Sequence, residues 1–256
     1  MLNSLCFSVV GSRDLTPYGK RIEKKFVREL ALRGITIVSG MAIGSDTVAH
    51  IEALENGGNT IAVLPCGLKN IYPKENITLY SQILENNGLI ITEYEDNVCA
   101  KSKYFLARNR IVSGLSEGVL IIEAKTRSGT SVTARYAKEQ DRKVFALPGR
   151  LDSKNGIGVN KLIKRGAIMV TSVKDIIDEI PKFQSLIKEI PKRTEFVKKE
   201  YRRIYSILND EPLCIDEICQ KTNNSISATL NLLSLMELDD LIEEVVGVGY
   251  VRKFKD

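Results

Sequence analysis

Short apolar runs closed by glycine, proline or serine turns recur along the first two thirds of this chain, and a stretch with helical spacing separates one from the next. The runs are Leu5–Val10, Ile35–Val38, Thr60–Leu64, Leu89–Thr92, Gly118–Glu123 and Lys143–Leu147, with Ala167–Val170 as a seventh. They do not alternate apolar with polar residues. An unbroken apolar strand is buried on both faces, the environment of a parallel sheet covered by helices. Between the runs, Ile22, Phe26, Val27, Leu30 and Ala31 repeat at helical period up to Gly34, and Ala49, Ile51, Ala53 and Leu54 do so before Gly57-Gly58. A helix is predicted over 76–86 and a short one from Asn160 to Arg165. Strand alternating with helix predicts an α/β fold: a doubly wound, mostly parallel, extended Rossmann-like sheet over residues 1–181.

In such sheets ligands sit beyond the carboxyl ends of the strands. Gly11-Ser12-Arg13, Ser39-Gly40 with Gly44, Pro65-Cys66-Gly67 and Ser128-Gly129-Thr130-Ser131 all fall at that edge. Gly40 and Gly44 form a loosened dinucleotide-type turn and equally fit a turn needing glycine for geometry alone. No Gly-x-x-x-x-Gly-Lys-Ser/Thr occurs, which excludes a P-loop nucleotidase.

Residues 105–137 carry the densest chemistry. Arg108-Asn109-Arg110 precedes one apolar strand, and the Ser128–Ser131 turn after that strand opens a helix. A helix start offers free N–H groups and a dipole to an anion. Gly129 permits close approach, and the hydroxyls of Ser128, Thr130, Ser131 and Thr133 can donate to phosphate oxygens. The competing reading is that Ser128 or Thr130 only caps the helix. Upstream, Lys101, Lys103, Tyr104, Phe105, Arg108 and Arg110 interleave cations with aromatics. Single-stranded nucleic acid asks for this, because cations track the backbone and rings stack on bases. A basic loop with Phe105 anchored in the core is the alternative.

Catalytic signals are sparse. His50 is the only histidine, four residues after Asp46, and reads as a helix-packing residue more readily than as half of a general-base pair. Glu93, Glu95, Asp96 and Glu123 have no partner histidine or ligand spacing. The expectation is therefore a binding protein rather than an enzyme, with no cofactor and no metal. A nucleotide hydrolase using Glu123 or Asp46 as base, or a nucleotide sensor on the same fold, is the alternative. Five cysteines without a Cys-x-x-Cys pair argue against a disulfide scaffold and fit a reducing cytoplasm. No apolar stretch is long enough to span a membrane and no signal peptide is read.

The net charge of +5 is uneven. Residues 1–181 hold 25 Lys+Arg against 19 Asp+Glu, residues 182–205 hold 8 against 3, and residues 206–256 hold 4 against 10. A basic linker is placed at 182–194. Beyond it, 195–209, 214–222 and 225–238 read as three helices, and 241–252 as a hairpin around Gly247: a small winged-helix domain, residues 195–256. Its third helix has no Lys or Arg, which a DNA-reading helix needs, so this domain is not expected to bind DNA.

Together these pieces resemble the DNA-processing protein A family. The resemblance rests on Gly11-Ser12-Arg13, Ser39 through Gly44 with Ala49-His50, Ala62-Val63-Leu64 with Gly67, Tyr72-Pro73, Phe105 with Arg108 through Ile111, Glu123-Ala124, Ser128-Gly129 with Thr133-Ala134, Pro148-Gly149 and Asn160 through Ile163. It implies a homodimer that coats single-stranded DNA and delivers RecA recombinase onto it during natural transformation. It places DNA-contacting roles on Arg13, on Lys74 after Tyr72-Pro73, on Lys101 or Lys103, and on the Ser128–Ser131 turn. Three departures stand out: Ser45 where an Ile is usual, Leu106 where a Pro usually follows the Phe, and a first strand so near the start that the helical domain preceding it in many members is expected to be missing.

Overall fold

The structure, a computed structural model, describes residues 4–126, 128–186, 198–209, 211–239, 241–245 and 247–252. It divides into two units, residues 1–190 and 191–256.

In the first unit, seven strands form one sheet: β1 Cys6–Val10, β2 Thr36–Ser39, β3 Thr60–Val63, β4 Leu89–Ile91, β5 Gly118–Ile121, β6 Lys143–Ala146 and β7 Ile168–Met169. Their spatial order is β4-β3-β2-β1-β5-β6-β7, and every described pairing in this sheet is parallel. The connecting helices are α1 Pro17–Leu32, α2 Ser45–Glu55, α3 Ile77–Glu85 after a 3-10 turn at Lys74–Asn76, α4 Ser102–Gly114, α5 Gly129–Glu139 and α6 Lys154–Lys164; α7 Val173–Glu179 and α8 Pro181–Gln184 follow β7. The chain leaves β1 in one direction and returns beside it at β5, so the strand order reverses between these two. Crevices open at such a switch point because the connections diverge to opposite sides.

The period of two in each strand feeds both faces. Phe7, Val9, Leu120, Ile122 and Phe145 pack with α1, α2, α7 and α8, while Val10, Val119, Ile121, Val144 and Ala146 pack with Val112 of α4, Ala134 and Ala137 of α5 and Val159 of α6. Phe7 meets Phe145 at 5.7 Å and Phe183 at 5.9 Å between ring centroids. Each such fully buried apolar side chain contributes about 1.5–3 kcal/mol. Phe183 thus belongs to the core of the first unit, and the body runs past the expected boundary at 181; residues 187–194 of the expected linker lie outside the described residues.

The second unit holds α9 Arg202–Ile207, α10 Ile215–Thr222, α11 Ile226–Leu238 and an antiparallel hairpin of β8 Ile242–Val245 and β9 Gly249–Arg252. Its first helix starts one to two turns later than expected, and residues 195–197 lie outside the described ones. Tyr201, Ile204, Tyr205, Ile218, Leu233, Met236, Ile242 and Tyr250 form a separate core. Three helices with a wing make this a winged-helix domain.

Candidate nucleic-acid interface

A cleft of about 570 Å³ opens at the switch point between β1 and β5. Its floor is the loop Gly11–Asp14 that leaves β1. Two neighbours fix this loop. On the β2 side, Ser45 N–H donates to Ser12 O at 3.1 Å, and Gly44 caps α2 with φ +85°. A Cβ on Gly44 would lie 2.5 Å from Ser12 O and 2.6 Å from Arg13 O, so both the conformation and the space demand glycine there. On the β5 side, buried Glu123 accepts from Thr16 N at 3.0 Å and Thr16 Oγ1 at 2.5 Å, and Asn155 Nδ2 donates to Asp14 O at 2.5 Å. Glu123 thereby holds the start of α1 and serves the loop structurally. Arg13 projects from this clamped loop, exposed, with its guanidinium 5.1 Å from the Phe105 ring centroid.

The cation–aromatic stretch is a helix, not a basic loop. Residues 98–101 lead into α4, which carries Lys103, Tyr104 and Phe105 in its first turn. Lys101 and Lys103 lie 5.9 and 5.5 Å from the Tyr104 ring centroid, Tyr104 stacks on Tyr94 at 4.4 Å, and Phe105 meets Tyr72 edge-on at 5.5 Å. Arg13, Phe105 and Tyr72 form one cluster at the cleft wall; Lys101, Lys103, Tyr104 and Tyr94 form the next. Tyr72 is 46% exposed, a large ring left open to solvent beside cations.

Two arginines of α4 take other roles than an exposed phosphate ladder would give them. Arg108 is only 3% exposed and donates to Gly40 O and Val63 O, tying the ends of β2 and β3 to the helix. A Cβ on Gly40 would collide with that guanidinium. Arg110 does not line the cleft and pairs with Glu93. Asn109 accepts from Arg108 Nε at 3.2 Å and donates to Gly129 O at 3.2 Å, linking α4 to the start of α5.

At that start the hydroxyls are mostly engaged internally. Ser128 caps α5 by accepting from Ser131 N, Thr130 Oγ1 donates to Gly11 O at 3.0 Å, and Thr133 Oγ1 donates to Gly129 O at 3.4 Å. The capping reading of Ser128 is therefore the geometry seen, and what α5 offers the cleft is its first-turn N–H groups and dipole. Ser128, Gly129, Thr130 and Thr133 all line the cleft. Lys74 is exposed in the 3-10 turn and does not line it. Lys125, which does, pairs with Asp14 at 3.6 Å and escaped the sequence reading, although a cation two residues after a strand end is what the edge rule singles out.

Of the acidic and imidazole groups at this end of the sheet, Asp46 lines the cleft, and the buried His50 and Glu23 do not. His50 is fully buried; Thr60 Oγ1 donates to Ile37 O at 2.9 Å and so accepts from His50 Nδ1 at 2.6 Å. Burial pushes the imidazole down to about 3. Asp46 faces Arg108 rather than His50; burial raises its carboxyl and the Arg108 charge opposes that rise. Glu23, buried and bonded to Ser45 Oγ at 2.7 Å, is held well above the usual carboxylate range by burial. Among the described residues no group of His, Cys, Asp and Glu has metal-holding geometry, and no helix is long and apolar enough to cross a membrane.

Comparison with known proteins bears on this site. Protein Smf of Escherichia coli is 38% identical over 98% of this chain and 68% of its own length. DNA processing protein DprA of Streptococcus pneumoniae is 43% identical over 67% of this chain and 60% of its own length. The chain thus spans about two thirds or less of these curated relatives. The crystal structure of the S. pneumoniae protein superposes with a TM-score of 0.65 at 40% identity, covering 70% of this chain and 62% of that one. DNA processing protein A from Helicobacter pylori, solved for its single-stranded DNA binding mode, gives 0.64 at 37% identity over 71% of this chain and 82% of that one. The winged-helix domain of the family matches residues 191–247. With the model of the main domain matching residues 1–181 as well, the chain belongs to the DNA recombination-mediator protein A family.

Proposed function

We propose that this protein binds single-stranded DNA without reading its sequence and hands the coated strand to a RecA-type recombinase, acting as a homodimer. The observation that carries the reading is the run of cations and open rings from the switch-point cleft along α4: Arg13 on Phe105, Tyr72 beside it, then Lys101 and Lys103 on Tyr104. Stacking is worth about 1–3 kcal/mol per base and tolerates any base, while the cations follow phosphates at bond-spaced intervals. The H. pylori relative's single-stranded DNA binding supports the same ligand here. Transfer to a recombinase rests on the family's description as recombination mediators.

Arg13, Lys74, Lys101, Lys103 and the Ser128–Ser131 turn make about five phosphate contacts in this reading. A single-strand slope of about −0.7 per contact gives roughly a 100-fold loss of affinity between about 50 and 200 mM salt. The test is fluorescence anisotropy of a labelled oligo-dT at those two salt concentrations, for wild type and for Arg13→Ala/Lys101→Ala. Tight, salt-sensitive binding that the double variant loses supports the groove. A flat salt response, with mononucleotides binding in its place, moves the cleft to a nucleotide hydrolase or sensor.

A further inference from the structure

Cys66 and Cys99 are 33 positions apart in sequence yet converge on one residue. Cys66 follows β3 and is fully buried; its Sγ donates to Asn70 O at 2.8 Å. Cys99 is exposed in the turn that leads into α4; its Sγ lies 3.7 Å from Asn70 Oδ1. The backbone brings them together. Gly67 N donates to Val98 O at 2.8 Å and Lys69 N to Asp96 O at 3.1 Å, which holds the turn at 95–98 against the turn at 67–70. Asn70, in the second turn, touches both thiols, Cys66 Sγ through its carbonyl and Cys99 Sγ through its side chain. Cys66 is anchored from the other side by Thr92 Oγ1, which donates to its carbonyl at 2.7 Å.

We infer that Cys66 and Cys99 form a redox-responsive thiol pair, a reversible modification site at the foot of α4. One partner is reachable by solvent and the other waits behind it. That is the arrangement of a peroxide-reactive thiol with its resolving thiol. The Cys99 thiolate attacks one oxygen of a peroxide, the O–O bond breaks, and the departing oxygen leaves as water after taking the thiol proton. Cys99 is then a sulfenic acid, oxidised by two electrons. The Cys66 sulfur attacks the Cys99 sulfur, the S–O bond breaks, and the hydroxyl leaves as a second water with the Cys66 proton. Burial raises the Cys66 thiol, which suits the resolving rather than the attacking role. A disulfide needs its Cβ atoms about 3.5–4.5 Å apart, so the oxidised pair holds Cys99 at that distance from Cys66. The product staples that turn to the end of β3, two residues before Lys101.

The experiment treats the full chain with sub-millimolar hydrogen peroxide, counts free thiols, and maps non-reduced peptides by mass spectrometry. Two of the five thiols disappear, a Cys66–Cys99 peptide pair appears, and a thiol reductant restores both. Cys99→Ser abolishes the loss of both thiols. Cys66→Ala, which keeps the site apolar, leaves Cys99 to oxidise alone toward sulfinic acid. A Cys214–Cys219 link in place of this one, a cross-link between two chains, unreactive thiols, or a wild type whose Cys99 oxidises alone would each overturn the inference. None of these readouts depends on DNA binding.

Discussion

Arg13 and Arg108 are the same residue type with opposite environments, and their substitutions separate accordingly. Arg108 is the buried donor to Gly40 O and Val63 O and faces Asp46. Arg108→Met leaves two strand-end carbonyls and a buried carboxylate without their partner, and removing one member of a buried pair costs about 3–5 kcal/mol. Urea unfolding of the variant is expected to show that loss; a loss under about 1 kcal/mol would mean the guanidinium is not a strut. Arg13→Ala, at an exposed position, leaves stability within about 0.5 kcal/mol. It lowers the salt slope of oligo-dT binding by about 0.7. His50 adds a pH signature. Its folded-state value of about 3 lies below the unfolded 6.5, so the unfolded chain binds the proton first as pH falls. The stability contributed by neutral His50 is present above 6.5 and declines by about 1.4 kcal/mol per pH unit toward 3. Stability measured against His50→Asn from pH 7 down to 4 is expected to converge on the variant; parallel curves would show that the imidazole is not protected.

At the scale of elements, the sheet and its edge were legible because the signals are local: apolar runs for buried strands, glycine and serine punctuation at their ends. Several helices were not, α4 and α6 among them. In α4 the buried positions are Arg108, Val112 and Ser113, so the face toward the protein is two-thirds polar and no apolar stripe announces it. In α6 Gly156 and Gly158 weaken the helical pattern, so the sequence predicts its start at Asn160, six residues late. Both glycines are required by contact: a Cβ on Gly158 would strike Ala124 O, and one on Gly156 would strike Arg150 O. The site was legible in outline and not in role. Which hydroxyls and guanidinium groups face inward depends on packing between α4, α5 and the strand ends, which no local pattern encodes. The turn between β2 and α2 gives the element-scale prediction. Gly44→Ala forces a left-handed φ on a residue with a Cβ and presses it on Ser12 O and Arg13 O. The expected cost is about 1–3 kcal/mol of stability. Because Arg13 rides on the displaced loop, oligo-dT affinity falls as well, whereas Ser128→Ala costs only about 1 kcal/mol as a lost cap. Calorimetry and anisotropy on the two variants separate these effects; equal losses of affinity would remove the distinction between clamp and cap.

At the scale of the whole molecule, charge and fold assign the two units different work. The first unit carries the cleft and the cation–aromatic run. Residues 206–256 hold 4 Lys+Arg against 10 Asp+Glu, and α11, where a DNA-reading helix would place cations, has none. It exposes Ile226, Leu230, Leu235 and Leu238 instead, the last at 83%, and the wing exposes Glu243 and Glu244. Phosphate affinity comes from cations whose counterions are released, so an acidic face of this kind opposes a DNA backbone. Each unit has its own buried core, which gives the first unit the means to fold without the second. A chain ending at residue 190 is therefore expected to keep its oligo-dT affinity within about twofold and its full salt slope, since each lost phosphate contact would remove about 0.7 from that slope. The same truncation in an Arg13→Ala background is expected to bind as weakly as full-length Arg13→Ala. If the truncation alone weakens binding as much as Arg13→Ala does, the expectation that the winged-helix domain does not bind DNA is wrong.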